Sequence, residues 1–191
     1  ARRNAKNFTR EEVAAAVSYC HTRGTKVHLT LNTLLTDREL PAAAQVAGEI
    51  SDMGVDAVIV QDLGVARMLH QVAPQLALHA STQMTVHSLD GVKECARLGF
   101  TRAVLSRELS RDQIRYICQN SPIEIETFAH GALCMCYSGQ CYLSSVIGGR
   151  SGNRGLCAQP CRLKYGWGNR ANEYPLSLKD MSLADYLQEL E

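Results

Sequence analysis

The feature that most constrains this chain is a rhythm. Short apolar runs rich in branched residues, each followed by a longer segment of helical periodicity, recur from one end of the sequence to the other. Strands are expected at residues 26–32, 57–62, 76–81, 102–108 and 123–130, with a weaker candidate at 174–178. Helices are expected at 10–23, 41–53, 64–72, 88–98, 111–119 and 183–190. Thr9 with Glu12 three residues on, and Ser110 ahead of an amphipathic run, supply recognisable helix starts. Alternating strands and helices imply a parallel sheet covered by its own crossover helices.

Strands buried on both faces read as continuous apolar runs. "AVIV" at 57–60 does, yet most of these strands end in polar residues: Asn32, Gln61 and Asp62, Ser81 to Gln83, Arg107 and Glu108, and His130. Polar groups gathered at the carboxyl ends of parallel strands mark a functional rim. Asp62, Gln83, Arg107, Glu108 and His130 are therefore the candidate substrate-facing set; a structural network of rim ion pairs is the alternative. No GxGxxG opens a helix, which disfavours a dinucleotide-binding fold. About six strand–helix units point to an incomplete (β/α)8 TIM-type barrel, since the closed form has eight strands and usually about 250 residues. One partial barrel domain is expected over 1–191, lacking its first and last units. A chain opening at Ala1 reads as a fragment or processed product, and its bare sheet edges suggest homo-oligomerisation, strand swapping or completion by another segment.

The composition is ordinary for a globular protein, with 46% hydrophobic residues, 20% charged residues and a net charge of +1. No apolar run approaches the roughly 18 residues of a membrane span, and "ARRNAKNFTREE" lacks the apolar core of a signal peptide. A cytoplasmic protein without membrane contact is the expectation. Three of the eight cysteines, Cys20, Cys95 and Cys118, sit in helical patterns and read as small buried hydrophobes. The other five, Cys134, Cys136, Cys141, Cys157 and Cys161, crowd into a stretch where the rhythm breaks. From Thr127 to Asn172 there is no Asp or Glu, while Arg150, Arg154, Arg162, Lys164 and Arg170 interleave with Tyr137, Tyr142, Tyr165 and Trp167. A Cys-rich basic loop over 131–172, on the rim after the His130 strand, is expected. Cations among aromatics suit phosphates and stacked bases, although they also form ordinary solvated surfaces.

The crowded thiols admit three readings. Disulfides are disfavoured in a reducing compartment. Structural zinc wants four ligands, commonly from paired Cys-x2–4-Cys knuckles, of which only Cys157 and Cys161 form one. An iron–sulfur cluster also wants four thiolates and tolerates irregular spacing. Spacing alone leaves these readings close together.

"IEIETFAHGALCMCYSGQCYLSS" resembles the signature of the collagenase-like peptidases, peptidase family U32: Glu126, Phe128, Gly131 to Cys134, Ser138, Gly139, Cys141, Leu143 and Ser144 all fit. "NFTREEV", "VIVQDLG", "LHASTQM", "VLSREL", "GRSGNRGLCAQPCR" and "LSLKDMS" are similar to other stretches of that family. The resemblance implies a barrel extending beyond both ends. It also implies oxygen-independent or prephenate-linked hydroxylation, in some members of a tRNA uridine, in some of a 23S rRNA cytidine, in some of the ubiquinone ring, with a four-iron four-sulfur cluster on cysteines. Cys134, Cys141 and Cys157 match the cluster cysteines of those members. Cys161 matches a Cys-x3-Cys partner in some branches, and Ser182 stands where other branches place a downstream cysteine, so Cys161 is the expected fourth ligand. Cys136 is the expected bystander.

A peptidase reading needs a nucleophile with a base, or a metal-activated water. No HExxH or GxSxG is present. His79 and His130 lie at strand ends, and a Cys134–His130 pair would compete with cluster ligation. The leading expectation is thus an enzyme that hydroxylates an RNA base; the alternatives are a collagenase-like peptidase and a non-catalytic module in which zinc staples an RNA-gripping loop.

Overall fold

The computed structural model describes residues 7–168 and 170–190. Its first helix begins where the sequence places it. Thr9 and Glu12 close a reciprocal capping box at the start of α1 (Arg10–His21), and Ser110 with Gln113 closes another at the start of α5 (Arg111–Asn120). Between them lie α2 (Leu40–Asp52), α3 (Leu63–Val72, capped by Asp62) and α4 (Leu89–Arg97, capped by Ser88). The strands are β1 (His28–Leu31), β2 (Ala57–Val60), β3 (Ala77–Ala80), β4 (Arg102–Val104) and β5 (Glu124–Glu126). They pair in parallel in the sequential order β1-β2-β3-β4-β5.

A doubly wound sheet reverses its strand order, whereas sequential order with crossovers of one hand lays every helix on the same face, as in a segment of a (β/α)8 barrel. Burial agrees. Val58, Val60, Leu78, Ala80, Ala103 and Leu105 form one core with Val65, Leu69, Val92, Cys95 and Ile117 of the helices. Side chains alternate along a strand, so the opposite face carries His28, Thr30, Gln61, His79, Ser81, Arg102, Glu124 and Glu126. Contacts across that polar face confirm the parity: the His28 and His79 rings meet edge to face at 4.7 Å, and Arg102 bonds Glu124 and Glu126.

Two strand expectations are corrected. The run 123–130 breaks after Glu126, and His130 joins a separate antiparallel ribbon, β6 (His130–Gly131) with β9 (Met181–Ser182). Residues 174–178 form no strand; Pro175 sits in a turn closed by Ser177 N on Tyr174 O at 3.1 Å. Beyond β5 the chain instead builds α6 (Leu143–Gly148), a hairpin of β7 (Tyr165–Trp167) and β8 (Arg170–Glu173), and α7 (Leu187–Leu190). Among the three cysteines expected to be buried, Cys95 is, Cys20 is half-buried, and Cys118 is exposed. No helix among the described residues is long and apolar enough to cross a membrane.

Candidate functional site

The Cys-rich segment is draped across the carboxyl ends of the strands, and specific bonds hold it there. Over β1 and β2, Asn153 O accepts from Leu34 N at 3.3 Å and from Gln61 Nε2 at 3.0 Å, while Arg154 reaches Leu34 O and forms an ion pair with Glu39. That pair, with bonds from Thr36, lowers the Glu39 carboxyl to about 2. Over β3, Gly139 lies on the Gln83 backbone: its φ is +75°, and a Cβ there would drive into the Gln83 carbonyl and come within 2.9 Å of the Gln83 Cα. Only glycine accepts both demands. The Thr85 hydroxyl donates to Ser138 O at 2.6 Å and accepts from Gln140 Nε2 at 3.0 Å. Over β4, Glu108 Oε1 accepts from Ser138 N at 3.0 Å, and Arg107 Nη1 donates to Ala132 O at 3.2 Å.

A second set of bonds closes the segment on itself. Arg162 spreads its guanidinium over Leu133 O, Leu178 O and Ser177 Oγ at 2.7–2.8 Å, tying the neighbours of Cys134 and Cys161 together. Ser144 Oγ, buried at the start of α6, accepts from Ala158 N at 2.9 Å and so fixes the chain beside Cys157. Gly152 lies between the Cys157 Cβ and the Cys141 carbonyl, where a Cβ would meet them at 3.7 and 3.8 Å.

These bonds bring the five thiols into one electrostatic neighbourhood. Burial first, then the Cys141 thiol that shares a hydrogen bond with it, and then Cys134, push the Cys136 thiol above its ordinary value. Burial, then Cys134 and Cys157 push up the Cys161 thiol, with Arg162 opposing. All are free thiols. Thiolates crowded in this way repel one another until a cation takes up their charge. In kind, number and surroundings the donors suit a soft, thiolate-bound metal centre. Among the described residues no three His, Cys, Asp or Glu side chains already stand in a metal-binding arrangement.

The rim residues separate by environment. Gln83, Arg107 and Glu108 all touch the Cys-rich segment. Asp62 is engaged by both oxygens, accepting from Val65 N as the α3 cap and from Leu35 N at 3.0 Å. His130 is exposed on its own ribbon. A cavity of about 370 Å³ lies beside this rim, and of the five only Arg107 lines it, so cavity and thiols share a rim without sharing a wall through His130.

Sequence reasoning missed the roles of Arg154 and Arg162, which it counted as surface cations of a basic loop; both are spent on internal partners. Those partners lie up to 120 residues away, beyond any local pattern. Arg150 and Lys164 remain exposed, Lys164 above the Tyr174 ring at 5.6 Å. The side chains of Trp167 and Arg170 lie outside the described residues. His79 was placed at a strand end, but it is buried on the polar face with its pKa lowered to about 4, by burial first and then by Arg102 and His28. Its imidazole is neutral at physiological pH.

The model of Peptidase family U32 matches residues 1–191. The 23S rRNA 5-hydroxycytidine C2501 synthase of Escherichia coli (strain K12) is 47% identical over 165 residues, covering 86% of this chain and 25% of the relative. The collagenase of Porphyromonas gingivalis (strain ATCC BAA-308 / W83) is 32% identical over 207 residues, covering 98% of this chain and 49% of the relative. This chain therefore spans between a quarter and about half the length of these relatives. Among solved structures, the U32 peptidase Mk0906 superposes with a TM-score of 0.54 at 18% identity, over 64% of this chain and 53% of that one, and so shares the fold. The chain belongs to peptidase family U32.

Proposed function

We propose that this chain forms the thiol-bearing part of an enzyme that hydroxylates a base of RNA, either a 23S rRNA cytidine or a tRNA uridine, with a four-iron four-sulfur cluster held by Cys134, Cys141, Cys157 and Cys161. The observation that carries the reading is the docking of the Cys-rich segment, tied down by Arg162, Ser144 and Gly139, on the carboxyl rim of a parallel sheet. The relative whose name specifies rRNA hydroxycytidine synthesis supports it. When bound, the cluster supplies the electron chemistry that protein side chains lack.

The chain's own residues hold and orient. Glu108 and Thr85 seat the turn before Cys141, Arg107 seats Ala132 before Cys134, and Asp62 fixes the end of β2 to the loop after β1. Cys136 is proposed as a neighbour of the cluster and not a ligand. RNA is the proposed partner, met through Arg150, Lys164 and the exposed rings of Tyr137 and Tyr142. A prephenate-linked source of the hydroxyl group belongs to the same proposal.

Anaerobic purification separates this reading from its rivals. A brown protein containing iron and sulfide supports it; colourless protein with zinc supports a stapled binding module; metal-free cleavage of gelatin supports the peptidase, the reading that the collagenase relative favours. If only Cys161 is dispensable for iron, a ligand elsewhere takes its place.

A further inference from the structure

The cavity beside the rim is formed by the end of β4, the start of α5, the Thr127–Phe128 bend after β5 and the segment 181–189. At about 370 Å³ it falls within the usual range of small-ligand sites, about 300–1,000 Å³. Its walls are largely apolar, through Leu105, Leu109, Ile114 and Leu183, with two aromatic rings, Phe128 and Tyr186.

Two lining residues carry buried polar atoms with no partner: Ser106 Oγ and Arg107 Nε. Ser106 is only 4% exposed. A buried polar group without a partner costs free energy, so each such atom calls for a partner, whether water, ion or ligand. Arg107 is held still for the purpose. Its Nη1 donates to Ala132 O, and its guanidinium lies over the Phe128 ring at 5.3 Å. Nε can only donate, and the serine hydroxyl can donate or accept.

The lining carries two cations, Arg107 and Arg111, and one carboxylate, Glu189. The second cation of the lining, Arg111, is neutralised by Glu189, which lines the same cavity at 3.0 Å from it. A neutral planar ring with an acceptor-bearing edge suits apolar walls, aromatic faces and two fixed hydrogen-bonding groups better than a phosphate does. Ala132, which Arg107 holds, is two residues from Cys134, so Arg107 links the cavity wall to the Cys-rich segment.

We infer that this cavity receives a single pyrimidine base extruded from RNA, with Ser106 and Arg107 reading its O2/N3 edge and Phe128 stacking near it. The inference rests on the RNA-hydroxylation reading and specifies where its substrate base lies. A base within structured RNA must leave its stack to enter such a pocket.

The test uses cytidine and uridine as free nucleosides, so that no phosphate contributes, with adenosine as the comparison. Binding is measured by isothermal calorimetry on the wild-type chain and on Ser106→Ala, Arg107→Met and Ile114→Trp. Thermal melts select folded variants, and Ile114→Trp serves if either polar variant fails to fold. Saturable pyrimidine binding that weakens at least fivefold in Ser106→Ala and Arg107→Met, and is abolished when tryptophan fills the cavity, supports the inference. No saturable binding by folded wild type, binding untouched by Ile114→Trp, or adenosine bound as tightly as cytidine overturns it. If nucleoside binding follows the variants while cellular RNA carries no hydroxylated base, the pocket stands and the hydroxylation reading falls. If hydroxylation depends on the protein but nucleoside binding ignores the variants, the reverse holds.

Discussion

Replacing Gly139 with alanine should lift the Cys-rich segment off the rim. Gly139 has φ +75°, where a side chain costs about 1–2 kcal/mol. The new methyl would also meet the Gln83 backbone, which has no flexible end to swing aside, adding about 1–3 kcal/mol of overpacking. The total, about 2–5 kcal/mol, is comparable with what holds the turn locally. That turn rests on bonds from both Ser138 N and Ser138 Oγ to Glu108, each charge-assisted bond typically about 1.5–3 kcal/mol, and on weaker bonds to Thr85. The strain should therefore be relieved by local detachment more than by global unfolding. Urea melts and the rate at which iodoacetamide alkylates Cys141 would report this. The expected outcome is a much faster alkylation with a smaller loss of global stability. Gly148→Ala, in α6 at a site with nothing within 4 Å, is the control and should be neutral or slightly stabilising. A Gly139→Ala protein with wild-type alkylation and an unchanged melt would show that the segment does not dock on Gln83.

Arg162→Met removes donors from Leu133 O, Leu178 O and Ser177 Oγ, and should cost about 2–4 kcal/mol in urea melts while lowering iron uptake after anaerobic reconstitution. His79 gives a pH signature. Its folded pKa of about 4 lies below the ordinary 6.5, so between those values the unfolded chain binds more protons and stability falls as pH drops through that window, by at most about 3 kcal/mol, then levels off. His79→Asn should flatten that part of the stability profile measured from pH 4 to 7; an unchanged slope would refute a buried neutral imidazole. Cys136→Ser should keep its full iron content, whereas loss equal to that of Cys134→Ser would make Cys136 a ligand.

Much of the fold is legible because two periodicities, of two and of 3.6, alternate along the chain and because Thr9 and Ser110 announce their helices. The parallel sheet and the rim at its carboxyl end follow. What failed to show locally was long-range or competitive. The run 123–130 is continuous in hydropathy, but pairing of His130 with Ser182 captures its end for another ribbon. The 174–178 run has the apolar content of a strand and a proline that turns it. The polar inner face could have been read from His79, Ser81, Arg102, Glu124 and Glu126, whose alternation with Leu78, Ala80, Ala103 and Ile125 is present in the sequence. Glu108 and Asp62 illustrate the limit at the rim: their residue types suit catalysis, and here they bind backbone amides of neighbouring loops.

The most direct test of the central claim is paired counting. Iron and sulfide are measured after anaerobic reconstitution of the protein carrying Cys134→Ser, Cys141→Ser, Cys157→Ser or Cys161→Ser. Hydroxylated pyrimidines are measured by mass spectrometry in RNA from cells in which each variant is the sole copy. The account predicts a full four-iron four-sulfur complement and modified RNA for the wild type, with both lost together in each variant. Full iron in all four variants together with unchanged RNA modification would contradict it.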